Sequence, residues 1–531
     1  MIKNTKEGYW FAAWERFWQH RLGRTAFLIL ILFCIVGVYA PFLASSKPLY
    51  VVYNDESYFP LFRYLLYRGF FTKLIDIFFN VLIFTVPLFF IVYFLFKDSM
   101  RVYLSSAVAM AQCIVFGYLG FTTPHDPAAS PTLTAERHAL IDRNRSLGLP
   151  TYPNWDFDLK YMTDYAKLNL LLRYRNNHNQ HLHLKKYAAA YFIAQNKGHL
   201  AALTMQQEGS LPQSEPVTLP TLWQVEQEHF MKKKQGLKQS LENLSAKKNI
   251  DFALYESAQA ELTYWNQREE WLQQESGKLR HVIMPLLSHF HWEDDAGGQQ
   301  AFNQVLPWWE LTRINRKDLL SALIFGIRIS LVVGMAAVGL ALLIGVPVGA
   351  FAGYYGKTFD IIICRLLEIW ESMPVFFMLL MIVAILQSKS IFLVIGIIGF
   401  FSWTTFSRYV RGEFLKHRNL PYVEACRALG FRDRYIMWRH ILPNALPPVL
   451  TLLPFAIMGA ITSEAGLSFL GLGEEGSCSW GVLMDEGRTA FPQESYLLWP
   501  PAILLTILLI TIAVVGDSLR DTLDPRTQRR V

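Results

Sequence analysis

The sequence predicts an all-α integral membrane protein: eight apolar stretches are long enough to cross a bilayer, charged residues are scarce, and one long polar segment interrupts the series. Of 531 residues, 52% are hydrophobic and only 18% charged, with a mean hydropathy of +0.21. Water-soluble domains carry about 25% charged residues. A hydrocarbon layer of ~30 Å takes ~20 mostly apolar residues to cross, because unpaired backbone amides are not tolerated in lipid. The stretches 25–45, 77–96, 103–121, 321–354, 361–386, 391–409, 450–470 and 500–516 meet that requirement.

The first span follows Arg16, Arg21 and Arg24, which by the positive-inside rule hold the N-terminus in the cytoplasm. Small residues at Ala44 and Ser45 would suit signal cleavage, but the apolar run exceeds the usual ~7–15 residues, so it reads as an uncleaved anchor. Alternate crossings then place Lys97, Arg101, Lys357, the segment 411–439 and the tail from Arg520 to Arg530 inside. One loop disagrees: Lys47, Arg63, Arg68 and Lys73 fall outside by this count, partly offset by Asp55, Glu56 and Asp76. The fourth span is long, and Pro347 within it predicts a kink or an early end.

The polar segment 122–310 is long enough for a domain with its own core, and it falls outside. Pro124, Pro127, Pro131, Pro150 and Pro153 make its start loop-rich, whereas 222–289 carries Gln, Glu, Lys and Leu at helical spacing. The expected insert is mainly helical and extracytoplasmic.

Ionisable groups inside a span cost ~2.5–3.5 kcal/mol at its centre, so each needs a partner or an aqueous path. Arg328 in the fourth span, Glu464 in the seventh, and Glu368, which shares a helical face with Glu371, are the candidates. They read either as liners of a translocation path or, for Arg328 and Glu464, as an interhelical pair.

Other chemistries find little support. Gly353-Tyr-Tyr-Gly-Lys-Thr358 invites a phosphate-loop reading, but Phe351 occupies the required first glycine and the preceding segment is a membrane helix. Ten of thirteen histidines fall in the insert, including His178, His181 and His183, and His289 and His291 beside Glu293, Asp294 and Asp295. Imidazole and carboxylate suit zinc, nickel or copper, yet without a tight ligand spacing they read as solvated groups, and no metal site is assigned. Asp156 and Asp158 lack a neighbouring nucleophile or base and read as surface charge. Trp292, Trp308 and Trp309 with Phe290 fit an interfacial aromatic belt. Cys34, Cys113, Cys364, Cys426 and Cys478 lie far apart with no metal or redox spacing. The net charge of +7 is localised, so nucleic-acid binding gains nothing from it.

The most specific stretch runs Pro421-Tyr-Val-Glu-Ala-Cys-Arg-Ala-Leu-Gly430 and continues through Phe431 to His440 into Ile441-Leu-Pro-Asn-Ala-Leu-Pro-Pro448. It reads as a short helix ending at Gly430, a residue that tolerates the left-handed cap, then a second helix stopped by Pro443. This resembles the EAA loop of bacterial ABC importer permeases. Glu424, Ala425 and Gly430 match, and Cys426 stands at the second alanine.

Further stretches resemble the C-type permease subunit of dipeptide and oligopeptide importers. They are Lys317 to Leu331, Ala352-Gly-Tyr-Tyr-Gly356, Glu464 to Gly473 with Ser479-Trp-Gly481, and Gly516 to Pro525. The segment Arg408 to Asn419 looks like the oligopeptide and microcin C branch.

The resemblance implies a type I ABC importer permease fold with an extra two-span hairpin and the large insert. The expected divisions are 1–45 for the N-terminus and first span and 46–121 for the outer loop and added hairpin, then 122–310 for the insert. The permease core is 311–531, with its coupling loop at 411–448. It further implies that Glu424, Ala425, Cys426, Gly430, Leu442 and Pro443 meet a cytoplasmic ATPase. Two such ATPase subunits would hold the ATP and magnesium, so this chain is expected to carry no cofactor and no enzymatic activity. A homologous second permease, an extracytoplasmic solute-binding protein and membrane lipid would be the other partners, in a bacterial inner membrane with both termini cytoplasmic. The function so implied is peptide uptake by alternating access. The alternatives are a nickel or metal-chelate importer permease, and a membrane-anchored sensor or enzyme acting through the insert.

Overall fold

The computed structural model describes residues 9–45, 47–67, 73–96, 98–122, 126, 128–148, 152–172, 174–175, 252–287, 319–387, 389–474, 477–489 and 498–523. In chain order, α1 is Tyr9–Gln19, α2 Arg21–Val38 and α3 Ala40–Leu43. Strands β1 (Tyr50–Tyr53) and β2 (Glu56–Tyr58) precede α4 (Pro60–Tyr64), the long helices α5 (Leu74–Leu95) and α6 (Asp98–Phe121), α7 (Pro131–Ser146) and α8 (Trp155–Lys160). A helical stretch α9 covers 164–172. Next come α10 (Phe252–Ser276), β3 (Arg280–Ile283), α11 (Leu319–Tyr355), α12 (Lys357–Glu371), α13 (Val375–Leu386) and α14 (Ile391–His417). The chain closes with α15 (Pro421–Ala428), α16 (Asp433–Tyr435), a π-turn at Ile436–Ile441, α17 (Leu442–Leu450), α18 (Leu453–Leu467), a second π-turn at Ser468–Leu472, α19 (Trp480–Thr489) and α20 (Trp499–Leu523).

Seven of the described helices are long and apolar enough to cross a membrane, and α12 with α13 make an eighth candidate bent by 69°. The stretch expected as one span over 361–386 is therefore two arms. Asp360, Arg365 and Glu368 make α12 amphipathic, and Ser372-Met373-Pro374 separates it from the wholly apolar α13. Proline disfavours helical geometry in the residue before it, so the break falls where the charged arm ends. The expected interruption at Pro347 does not occur as an end of the helix: α11 runs on to Tyr355. Within a bundle the carbonyl that a proline frees can be satisfied locally, so a spanning helix tolerates it.

The chain divides into two compact units, one of 1–38 with 323–531 and one of 39–322. In the first, α11 packs on α14 along a stripe of small residues. A Cβ on Gly345 would lie 2.5 Å from the carbonyl oxygen of Trp403, and one on Gly353 would lie 2.6 Å from that of Arg411. Glycines every fourth residue let two backbones approach where side chains would hold them apart. At the other end of the sequence, α2 packs on α20, and His20 Nδ1 accepts from Gly23 N at 3.1 Å and meets Ser518 Oγ at 3.2 Å.

The second unit contains a feature absent from the all-helical expectation, an antiparallel sheet in the order β2-β1-β3. Asn54 and Asp55, with φ of 52° and 61°, form a two-residue turn that fits the twist of the strands. Strand β1 then pairs with β3 across more than two hundred residues, with Tyr50 opposite Ile283 and Val52 opposite Arg280. Val51, Tyr53, Leu168, Leu171, Leu172 and Leu279 form the core beneath it. Helices α5 and α6 are clamped by Gln112, which accepts from Thr85 Oγ1 at 2.8 Å and donates to the Phe78 carbonyl at 3.0 Å. Of the predicted helical region 222–289, the part 252–276 is helical, and the part before 252 lies outside the described residues. His178, His181, His183, His289, His291 and the tryptophans at 292, 308 and 309 also lie outside them. Among the described residues no group of three metal-ligating side chains comes together.

Candidate functional site

Helix α15 starts with Pro421 in its first turn, where a missing N–H costs nothing, and carries Glu424 there, favourable to the helix dipole. Val423 and Cys426 turn inward, leaving Glu424, Ala425, Arg427 and Ala428 exposed. The residue that departs from the family pattern, Cys426, is thus packed within the chain and leaves the outward face unaltered. Gly430 has φ +76°, as the sequence predicts. The Phe431 N–H donates to the Cys426 carbonyl at 3.1 Å and the Gly430 N–H to Arg427 at 2.9 Å, closing the helix with a Schellman motif.

The second arm does not stop at Pro443. Helical backbone continues from Asp433 to Leu450 through the π-turn at Ile436–Ile441. The Leu442 N–H reaches back five residues to Met437, and Asn444 Nδ2 donates to the His440 carbonyl at 2.7 Å. Pro443 follows this wider turn in the first turn of α17, where a missing N–H is tolerated, so the helix passes through it. Leu442 is half-buried and Pro443 exposed, while Leu429, Phe431, Tyr435 and Trp438 add an exposed apolar surface near the elbow.

This loop is held to the long helices by named contacts. Tyr354, buried near the end of α11, donates to Asp433 Oδ1 at 2.6 Å, and the Arg427 guanidinium lies 5.3 Å from its ring centre. Arg418 donates to the Gly353 carbonyl at 3.3 Å. His417 Nδ1 lies 3.0 Å from the Tyr422 hydroxyl, whose pKa burial pushes up. Arg411 clamps Asp360 through both carboxylate oxygens, one at 2.8 Å. Glu368 pairs with Arg365 at 2.6 Å and Glu371 with Arg408. Glu368, a candidate path residue, therefore lies on the exposed amphipathic arm α12. Tyr354, Arg427 and Asp433 were not singled out from sequence. Tyr354 and Asp433 belong to stretches read separately, and nothing in either shows that they meet.

Arg328 and Glu464 are both buried, at 0% and 1% exposure, each with its own partners. Arg328 donates from Nε to the Gly37 carbonyl at 2.7 Å and from Nη2 to the Val38 carbonyl at 3.2 Å, capping the end of α2. Its guanidinium also stands 4.9 Å from the Phe325 ring centre. Glu464 Oε1 accepts from Ser468 Oγ at 2.7 Å and Ser479 Oγ at 2.6 Å, tying α18 to the turn before α19. The expected alternative of an ion pair between Arg328 and Glu464 is not what the geometry shows.

The sequence profile of the family described as binding-protein-dependent transport system inner membrane component matches residues 345–529. That of the N-terminal transmembrane domain of oligopeptide transport permease C matches 8–60. The oligopeptide transport system permease protein OppC of Haemophilus influenzae is 38% identical over 248 residues, covering 46% of this chain and 79% of that one. The chain belongs to the binding-protein-dependent transport permease family. Another relative in this family, the peptidoglycan transport system permease protein YejE of Agrobacterium fabrum, is 41% identical over 219 residues. That match covers 41% of this chain and 57% of the relative's length. Among solved structures, an inward-facing MetNI methionine ABC transporter chain aligns at 18% identity and a TM-score of 0.33, covering 38% of this chain and 97% of that one. The match at 345–529 lies within the unit formed by 1–38 and 323–531, that at 8–60 runs from it into the second unit, and neither covers 61–344.

Proposed function

We propose that this chain is a membrane-spanning permease subunit of an ATP-driven importer of peptides or oligopeptides, working by alternating access in a bacterial inner membrane. The observation that carries the reading is α15: a short, Schellman-capped helix with Glu424 and Ala425 outward, joined through Gly430 to a second helix and bound to the ends of α11 and α14. Such a helix can be pushed as a unit. A homologous second permease would complete the pore, and two ATPase subunits would close on the α15 face. A substrate-loaded binding protein would engage the opposite side of the membrane, where the insert would lie with both termini in the cytoplasm. ATP and the loaded receptor drive the cycle only by binding one conformation better than the other. ATP and magnesium would reside on the ATPase subunits.

The test is affinity purification of the tagged full chain co-expressed with candidate ATPase and second permease subunits from the same organism. Wild type is expected to retain the ATPase. A chain with Glu424→Arg and Ala425→Glu, both on the exposed face, is expected to lose it while keeping the second permease. Equal retention by both chains would refute the reading.

A further inference from the structure

The elbow at Gly430 has two arms, and one buried side chain touches both. Tyr354 gives its hydroxyl to Asp433, the first residue of α16, and its ring lies under Arg427 in the last turn of α15. The tyrosine belongs to α11, a continuous helix of 37 residues, and is 5% exposed. Its immediate neighbour Gly353 is pressed on the Arg411 backbone and receives the Arg418 guanidinium on its carbonyl. The end of α11 is thus fixed to α14 on one side and to both arms of the elbow on the other.

A push on α15 has several routes into the rest of the unit. Val423 and Cys426 pack beneath it, and the chain itself continues through the π-turn into α17. Those routes are apolar packing, which slides readily, a turn whose hydrogen bonds are already rearranged, and the Tyr422 contact with His417, which leads to α14 and not to α11. The Tyr354 to Asp433 bond is short, directional and partly shielded, and Arg427 is placed to hold the ring when the hydroxyl is engaged. We propose that Tyr354 is the positioning residue that passes movement of the α15 elbow to α11, with Asp433 as its obligatory acceptor and Arg427 as the lid on its ring. This deepens the proposed permease function and rests on it. Tyr354 touches neither nucleotide nor solute. It acts through the helix it terminates, by making the elbow and the end of α11 move together.

The experiment compares full complexes in proteoliposomes, scoring both phosphate release and uptake of a synthetic tripeptide, with the retained ATPase measured on each preparation. Wild type must retain the ATPase and take up the tripeptide with ATP, or the permease reading itself fails before Tyr354 is at issue. Tyr354→Phe keeps the ring and removes the hydroxyl. It is expected to hydrolyse ATP within about twofold of wild type while its uptake per phosphate released falls about tenfold or more, the size of one lost hydrogen bond to a charged group. Asp433→Ala, which removes the acceptor at an exposed position, is expected to show the same loss without affecting folding. The double variant is expected to be no worse than either single one, because both remove the same bond. Unchanged uptake per phosphate in both single variants overturns the inference. So do losses that multiply in the double variant, or a proportional fall of hydrolysis and uptake with lowered ATPase retention, which is the mark of a merely structural contact.

Discussion

The backbone of Ser407 occupies the space in which a side chain at Gly349 would stand. Gly345 and Gly353, one turn to either side, lie against the backbones of Trp403 and Arg411 in the same way, so α11 and α14 run at backbone contact for two turns. Membrane helices gain little from hydrophobic segregation, and close approach of this kind is a main source of their association. Gly349→Leu is expected to cost ~1–3 kcal/mol or more, because rigid backbone and not a flexible side chain must move. Gly339→Ala on the same helix, with nothing within 4 Å of its missing Cβ, is expected to be neutral. Unfolding of the two variants in mixed micelles checks the contrast.

Gly430 answers to backbone conformation alone: nothing lies within 4 Å of a Cβ built there, yet its φ is +76°. A β-branched residue is strained in the left-handed region by ~1–2 kcal/mol, and relief of that strain breaks the Phe431 to Cys426 bond. Gly430→Val is therefore expected to lower ATPase retention or to uncouple hydrolysis from uptake, whereas Gly430→Asn, a residue found at such caps, is expected to fall between it and wild type. Co-purification and phosphate release on the same preparations measure both. Equal behaviour of valine and glycine would show that the cap geometry is irrelevant to coupling.

What the sequence made legible followed local physics. Apolar run length located the spans, and Gly430 announced its own cap. The bend at Pro374 escaped because the apolar run of α13 outweighs Arg365, Glu368 and Glu371 of α12 within one stretch. Pro443 misled because it sits directly after a π-turn, in the first turn of α17, and that turn has no signature in the sequence. Pairing of β1 with β3 joins residues too distant for any local pattern, although Asn54-Asp55 between two β-prone runs was a readable hairpin signal. Two cations of the basic loop that conflicts with the topology count are engaged within the second unit. Lys47 stands 5.0 Å from the Tyr64 ring centre and donates to Asn169, and Arg63 stands 3.9 Å from that of Tyr165. Cations engaged in a folded unit are a poorer guide to sidedness than cations in a short free loop.

Arg328 and Glu464 have separate partners, which makes charge reversal a decisive experiment. Arg328→Glu removes the cap of Gly37 and Val38 and sets a carboxylate against two carbonyls. Glu464→Arg strands two serine hydroxyls and buries a cation. Residues that do not share an interaction add within ~0.3–0.5 kcal/mol, so the doubly reversed chain is expected to be as unstable as the sum of the single changes. Rescue of assembly or thermal stability in the double variant would instead show a direct pair. Glu464→Gln, which still accepts from both serines, is expected to be far milder than either.

Several tyrosines of the second unit have ionisations that oppose folding, among them Tyr53 in β1 and Tyr64 at the end of α4. Tyr53 has its pKa raised from 10.0 to about 12, first by burial and then by Glu275, to which its hydroxyl donates at 3.2 Å. Tyr64 is raised to about 12 chiefly by burial. Since the folded state holds these protons more tightly than the unfolded chain, their stabilisation is complete below pH ~10 and is lost as the pH rises through about 12. Resistance of the 39–322 unit to proteolysis in the intact protein is therefore expected to be flat up to that lower bound and to fall across the window. Tyr53→Phe removes one of these titrations, so its profile is expected to be shallower there despite the lost hydrogen bond to Glu275. An identical alkaline profile for wild type and Tyr53→Phe would mean that this tyrosine ionises as freely in the fold as outside it.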